Sequence, residues 1–124
     1  MMRITLISVG GIRMKNLNLA VAVVLSLAAV HAVAATDAFT LTISNHAFEP
    51  KELKVPANKK FKLLVVNKDS TPAEFESKSL GREKIIPGNS TGVFILGPLK
   101  PGRYGFVEEY HESEAGAQGT IIVQ

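Results

Sequence analysis

The sequence contains no cysteine and no tryptophan, and its three methionines all precede residue 15. From residue 35 onward the chain therefore has no sulfur atom that could form a disulfide or bind a metal ion as a thiolate or thioether. A disulfide-stabilised fold is excluded. An electron-transfer copper centre of the blue type is excluded as well, because it requires a cysteine thiolate.

An excess of positive charge is also absent once the N-terminal segment is set aside. Of the fourteen Lys and Arg residues, Arg3, Arg13 and Lys15 come before residue 35, whereas all eleven Asp and Glu residues come after it. Residues 35–124 are therefore neutral. We do not expect them to bind nucleic acid or an anionic membrane, since such binding needs clustered Lys and Arg on the folded part.

The N-terminal segment has the organisation of a secretory signal peptide. Met14-Lys15-Asn16 is a short basic start, residues 17–30 are an almost unbroken apolar run, and Ala32-Val33-Ala34 supplies the small-x-small pattern of a cleavage site. We predict that residues 1–34 form a helical signal peptide and that residues 35–124 form the mature domain. The apolar run is shorter than the roughly 20 residues that a membrane span requires. A retained N-terminal anchor is the alternative.

Residues 1–13 precede a complete signal peptide, which indicates an overextended start with Met14 as the true initiator. Export by a cleaved signal peptide predicts that the mature domain is periplasmic. Exported proteins often contain disulfides, but this one has no cysteine, so the small mature domain must fold on its apolar core alone.

A period of two dominates the chain after the leader. Phe39, Leu41 and Ile43 alternate with polar residues, as in a half-buried strand. Further strand patterns or short apolar runs between turn residues cover 48–55, 60–67, 85–86, 93–96, 104–107 and 120–123. Short strands with regularly spaced turns indicate an all-β, Greek-key antiparallel β-sandwich or barrel. Tyr104, which follows a Pro-Gly bend, resembles a tyrosine corner and favours the Greek key.

Antiparallel topology predicts which loops meet. If residues 39–44 run up, 48–55 run down and 60–67 run up again, then the loops that contain residues 46 and 68–74 share the upper end. The segment 108–114 joins them if the strand before it also runs up. The candidate metal ligands brought toward one patch are His46, Glu74, Glu76, Glu108 and His111.

Such a group of imidazoles and carboxylates suits copper(II), iron or zinc, whereas copper(I) prefers the sulfur ligands that are missing. Affinity favours copper(II), and oxygen donors favour iron(III). The sequence leaves open which of Glu74 and Glu76 is the primary ligand. A structural role is the alternative for a lone loop histidine such as His46. We expect three other acidic residues to be solvated, namely Glu109, Glu112 and Glu114.

Several segments resemble the cupredoxin pattern across nearly all of the mature chain. They are Asn45-His46-Ala47-Phe48-Glu49-Pro50, Leu53-Lys54-Val55-Pro56-Ala57, Val66-Asn67-Lys68-Asp69, Pro98-Leu99-Lys100-Pro101-Gly102-Arg103-Tyr104 and Gly119-Thr120-Ile121-Ile122-Val123. Three others resemble, more narrowly, the EfeO-type cupredoxin-like domains of bacterial periplasmic iron uptake. These are Thr71-Pro72-Ala73-Glu74-Phe75-Glu76-Ser77, Arg82-Glu83-Lys84 and Glu109-Tyr110-His111-Glu112.

The resemblance implies roles for individual residues. Glu74 falls near the first histidine ligand of ordinary cupredoxins, Glu108 at the cysteine position and His111 at the second histidine ligand. Ala117 lies roughly where the axial methionine would be. The chain departs from the EfeO-type pattern at Lys78-Ser79, where a more polar or acidic pair is expected.

The resemblance also implies a periplasmic protein that binds copper, iron or both and serves iron uptake, with an inner-membrane iron permease and other periplasmic components as partners. Whether it oxidises Fe(II) ahead of the permease stays open, so we expect a metal-binding protein and leave ferroxidase-type activity undecided. Two alternatives compete with this function. One is a periplasmic copper carrier or chaperone, and the other is a metal-free β-sandwich that docks another protein.

Overall fold

The structure is a computed structural model that describes residues 35–124 together with Gly10 and Ala29. The predicted signal peptide thus lies outside the described residues except at these two positions. Within that part of the chain, no helix is long and apolar enough to cross a membrane. The strands are β1 (Asp37–Ser44), β2 (Ala47–Glu49), β3 (Glu52–Val55), β4 (Phe61–Asn67), β5 (Ala73–Ser77), β6 (Arg82–Ile86), β7 (Ser90–Leu96), β8 (Gly102–Glu108) and β9 (Gln118–Val123), with a 3-10 helix at Glu109–His111.

The strands form two sheets, with the orders β2-β1-β4-β7 and β3-β9-β8-β5-β6. The all-β sandwich is confirmed, but its sheets are mixed and not antiparallel as predicted, since β1 runs parallel to β4 and β3 runs parallel to β9. The run 48–55 is not one strand. It is interrupted at Pro50, which cannot donate a ladder hydrogen bond, and β2 and β3 lie in different sheets. Because the chain passes from the first sheet to the second between β2 and β3, β1 and β4 are direct neighbours in the first sheet and run parallel.

Four phenylalanines from four strands meet in the core. Phe48 of β2 packs edge-on against Phe106 of β8 with ring centroids 4.7 Å apart, and Phe75 of β5 lies 4.9 Å from Phe94 and 5.4 Å from Phe106. All four are almost fully buried. Each contributes about 1.5–3 kcal/mol by burial alone, so this cluster holds the two sheets together below the loops that carry the candidate ligands.

The predicted tyrosine corner is confirmed. The hydroxyl of Tyr104 donates a hydrogen bond of 2.8 Å to the carbonyl oxygen of Lys100, four residues upstream. This contact fixes the bend that precedes β8. It thereby sets the direction in which β8 runs toward Glu108 at its upper end.

β7 is an edge strand whose exposed backbone is covered by side chains of β6. The guanidinium of Arg82 donates to the carbonyl of Ile95 at 3.2 Å, and the ammonium of Lys84 donates to the carbonyl of Val93 at 2.9 Å. Both cations also lie over the ring of Phe94, at 5.7 and 5.1 Å from its centroid. The two charges are therefore held against the edge of the sheet.

Asn67 is a buried amide that joins β4 to two loops. Its Nδ2 donates to the carbonyls of Thr71, Ile86 and Pro87 at 2.9, 3.2 and 3.2 Å. Its Oδ1 accepts from the backbone N–H of Asp69 at 3.0 Å. Both ends of the amide are thus occupied at the point where β4 leaves the core.

Replacing Asn67 with Leu should lower the free energy of unfolding by about 1–3 kcal/mol, because buried polar groups then lose their partner. Urea unfolding of the mature domain measures this. The control, Thr91→Leu, places the same side chain at an exposed position of β7 and should change stability by less than about 0.5 kcal/mol. A loss at position 67 no larger than that of the control would contradict the role of the amide.

Candidate metal centre

His46 lies in the two-residue turn between β1 and β2. Asn45 and His46 both have positive φ, 50° and 60°, as in the type I′ turn that closes tight hairpins. The carboxylate of Asp69 accepts hydrogen bonds from both backbone amides, 2.7 Å from N of Asn45 and 3.0 Å from N of His46. The loop after β4 therefore positions the histidine-bearing turn.

His111 ends the 3-10 helix that follows β8. The helix begins after Glu108, whose Oε1 accepts from the backbone N–H of Tyr110 at 3.1 Å and from that of Glu74 at 2.9 Å. Its Oε2 is hydrogen-bonded to Nδ1 of His111. Glu108 is 0% exposed. One buried carboxylate thus connects β8, β5 and the histidine ring.

Glu114 is brought back toward the β1–β2 turn by the loop that precedes β9. Its backbone N–H donates to the carbonyl of His111 at 2.9 Å, and Phe48 N donates to Gly116 O at 2.9 Å. Gly116 has a φ of 91°, and a Cβ placed there would come within 2.8 Å of Ala47 Cβ. Only glycine fits this close approach, which seats the loop against β2.

The rings of His46 and His111 are stacked, with centroids 3.4 Å apart and planes 11° apart. Nδ1 of His46 lies 2.9 Å from Oε2 of Glu114. One ligand atom from each of the three residues lies within 4.8 Å of the others. The three side chains are 33%, 27% and 48% exposed for His46, His111 and Glu114, so water and ions can reach them. We call these three residues the histidine site.

The structure brings together His46 and His111, which the topology predicted to share one end. Glu108 lies beside His111 but is not one of the three residues of the histidine site. Its two oxygens already face three hydrogen-bond donors. Glu114, which was expected to be solvated, belongs to the group instead. The only sequence signal for it is spacing: Glu108 and Glu114 lie three residues before and after His111, which is the period of a 3-10 turn. Ala117, which the resemblance places roughly where the axial methionine would be, is buried and offers no donor side chain.

Glu74 and Glu76 lie in a second group. The two alternate with buried Phe75 on β5, and Glu76 is the cross-strand partner of Glu83 on β6. Carboxylate oxygens of Glu74, Glu83 and Glu109 lie within 4.8 Å of one another, although Glu74 is only 8% exposed. Together with Glu76, these three residues form what we call the acidic cluster.

Neighbouring carboxylates of the acidic cluster raise the pKa values of Glu83 and Glu109. A hydrogen bond and electrostatic repulsion from Glu74 raise the pKa of Glu83. A hydrogen bond with Glu76, together with burial, raises the pKa of Glu109. Burial and the charge of Glu74 also raise the pKa of the Tyr110 phenol. Like charges opposite one another on a sheet are destabilising, so the acidic cluster favours a proton or a cation over four free carboxylates.

Replacing Glu83 with Gln should stabilise the mature domain, in the presence of a chelator, by an amount that grows with pH. Because the pKa of Glu83 is higher in the folded than in the unfolded chain, its ionisation removes stability as pH rises through the folded-state pKa. Urea unfolding at a series of pH values, from mildly acidic to neutral, measures the difference. The control Glu49→Gln removes an equal charge from β2. A difference between Glu83→Gln and parent that does not change with pH would refute the coupling.

The fold has close counterparts among solved structures. One is reduced auracyanin from Roseiflexus castenholzii, with a TM-score of 0.60 and 14% identity over 73% of this chain and 98% of that one. A second is the metal-binding domain of the Cu(I)-exporting ATPase CopA of Streptococcus pneumoniae D39, with a TM-score of 0.59 and 12% identity over 70% and 84% of the two chains. A third, a copper-binding protein in its apo form, has a TM-score of 0.60 and 15% identity over 70% and 86%. At these identities the likeness concerns the fold alone.

Sequence comparison gives a nearer relative and a family. Protein RP394 of Rickettsia prowazekii (strain Madrid E) is 43% identical over 83 residues, which cover 67% of this chain and 65% of that protein. The chain therefore matches slightly less than two thirds of the relative's length. The profile of the cupredoxin-like domain family matches residues 17–123. On this match, which covers most of the sequence, the protein belongs to the cupredoxin-like domain family.

Proposed function

We propose that this chain is a periplasmic metal-binding protein that holds copper(II) or iron at the histidine site and serves iron uptake. The observation that carries the proposal is the convergence of His46, His111 and Glu114 at one end of a sulfur-free cupredoxin-like sandwich. The three residues come from two loops that are far apart in sequence. Separate backbone contacts hold each loop in place, as expected of a prepared site.

The donor set favours particular metal ions. Two imidazole nitrogens and one carboxylate oxygen suit copper(II), zinc and iron, and the same combination with open positions is typical of non-haem Fe(II) sites. Copper(I) is disfavoured, because residues 35–124 provide no sulfur ligand. The partial exposure of all three side chains leaves coordination positions for water or a second ligand, which redox chemistry on a bound ion would need.

Coordination requires a small rearrangement of the rings. An ion lies in the plane of each imidazole that binds it, whereas the rings of His46 and His111 are nearly parallel. One ring must therefore tilt. His111 is tied to a fully buried carboxylate and His46 to the half-exposed Glu114, so His46 is the ring that moves.

The role in iron uptake rests on the Glu-Phe-Glu-Ser and Tyr-His-Glu segments that resemble EfeO-type domains, together with the carboxylate-rich surface beside the histidine site. The negative charge of the acidic cluster attracts metal ions to this end of the molecule. The partner in this proposal is an inner-membrane iron permease. Oxidation of Fe(II) before transfer is the step in which a redox-active ion at the histidine site would take part.

A copper carrier is the second candidate function. It is favoured by the fold likeness to a copper-binding protein and to the metal-binding domain of a copper-exporting ATPase. The lack of sulfur restricts such a carrier to copper(II). Growth of a deletion strain on limiting iron separates the two candidates, because loss of a pure copper carrier should leave iron uptake intact.

Titration of the purified mature domain with Cu(II) and Fe(III), followed by absorption and isothermal calorimetry, tests the site. The double variant His46→Ala, His111→Ala should lose more than about 100-fold in affinity, since even residues behind the ligands typically contribute about 10–100-fold. Glu114→Gln should weaken binding in the same direction. Glu112→Gln, an exposed carboxylate of the same loop, is the matched control and should retain the parent's affinity.

Unfolding with and without metal distinguishes this function from metal-free docking. A ligand at 100 times its dissociation constant stabilises the folded state by about 2.7 kcal/mol. The parent should gain that stability and the double variant should not. Equal stability of the parent with and without Cu(II) and Fe(III) would remove the metal-binding function.

A further inference from the structure

Glu108 is the one carboxylate near the histidine site that is completely withdrawn from solvent. Its Oε1 accepts two backbone N–H groups, those of Glu74 and Tyr110. Its Oε2 faces Nδ1 of His111. An ionised carboxylate offers only acceptors, so the ring atom that it faces must be an N–H. The lone pair of neutral His111 is then left on Nε2.

Position in the chain explains why Glu108 can do this. It is the last residue of β8 and the N-cap of the 3-10 helix, with extended φ and ψ of −90° and 100°. Three residues later the helix returns His111 to the same side. The backbone N–H of Glu108 is held by Ala117 O at 2.8 Å, so both its main chain and its carboxylate are fixed.

Three of the roughly four lone-pair sites of the Glu108 carboxylate are already occupied by donors, and the side chain is 0% exposed, so it is poorly placed to bind a metal ion itself. Its oxygens also lie outside the group of ligand atoms formed by His46, His111 and Glu114. A carboxylate behind a metal-binding histidine commonly sets the tautomer and the orientation of the ring. Building on the proposed function, we infer that Glu108 is a positioning residue: it holds the Nδ1 proton of His111 and so directs Nε2 toward the ion.

Glu108→Gln is the sharpest variant, because it keeps the shape of the side chain and replaces one acceptor oxygen with an NH₂ donor. The amide oxygen must face the two backbone N–H groups, since turning the NH₂ group toward them would set donors against donors. The NH₂ group then faces Nδ1 of His111, which has to accept. The ring proton moves to Nε2 and blocks the atom that would bind the ion.

Nitrogen-15 NMR of the imidazoles, recorded without metal at a pH where the rings are neutral, reads the tautomer directly. The parent should show His111 protonated at Nδ1, and Glu108→Gln should show it protonated at Nε2. Affinity for Cu(II) or Zn(II) should fall about 10–100-fold in the variant. The control Glu112→Gln removes the same charge nearby and should change neither the tautomer nor the affinity.

Failure of this inference is distinguishable from failure of the proposed function. A parent with His111 protonated at Nε2 would overturn the positioning role whether or not the variant folds. Loss of the Nδ1 proton in the Zn(II)-loaded parent would overturn it too, because Nδ1 or Glu108 would then contact the ion. A parent that has the expected tautomer but binds neither metal would support the positioning of the ring and refute the metal-binding function alone.

Discussion

The hydrogen bonds of one buried carboxylate, Glu108, organise the end of the sandwich that carries the histidine site. The ladder between β5 and β8 contains only the pairs Phe75 with Glu108 and Glu76 with Val107. At the next N–H of β5, that of Glu74, a carboxylate oxygen of Glu108 accepts in place of a backbone carbonyl. Burying such a group is costly unless its hydrogen bonds are satisfied, and here three donors satisfy it. The geometry of β5, of the 3-10 helix and of His111 therefore depends on the same side chain.

A second side-chain relay supports the other histidine from the opposite sheet. Asn67 in the core binds the backbone of Asp69, and Asp69 in turn binds the backbone of Asn45 and His46. The two histidines are thus held differently, His111 through its ring and His46 through its main chain. Such a division gives one proposed ligand a fixed direction and leaves the other free to adjust, as a site that takes up an ion from solvent would require.

The period of two was enough to predict the all-β class and most strands of the core, and the topology built on it predicted the shared end of His46 and His111. It missed β5, which carries the buried Phe75. It could not place Glu114, because that contact depends on a loop seated by Gly116 against Ala47 and not on any strand pattern. Asp69 was missed for a related reason, since its partners are backbone amides 23 and 24 residues away. Glu108 was predicted to be a metal ligand from its position at the end of β8, but its oxygens face two backbone N–H groups and the ring of His111 instead.

The break of the run 48–55 illustrates the same limit at the level of the fold. Alternation of Leu53 and Val55 with Glu52 and Lys54 marks buried positions but does not say which sheet buries them. Pro50 ends one ladder, and the residues after it pair with β9 in the other sheet. Sequence period describes one face of a strand, whereas sheet membership is decided by distant segments.

The coverage of β7 by Arg82 and Lys84 has a consequence for the protein at high concentration. An open strand edge is a template on which a second copy can add its own strand, and charged residues at the edge discourage this. Here the cations occupy the carbonyls of Val93 and Ile95 themselves, so an incoming chain would have to displace them. Self-association along this border is disfavoured even though Val93 and Ile95 expose apolar side chains, and this lowers the tendency of the protein to form fibrils from that side.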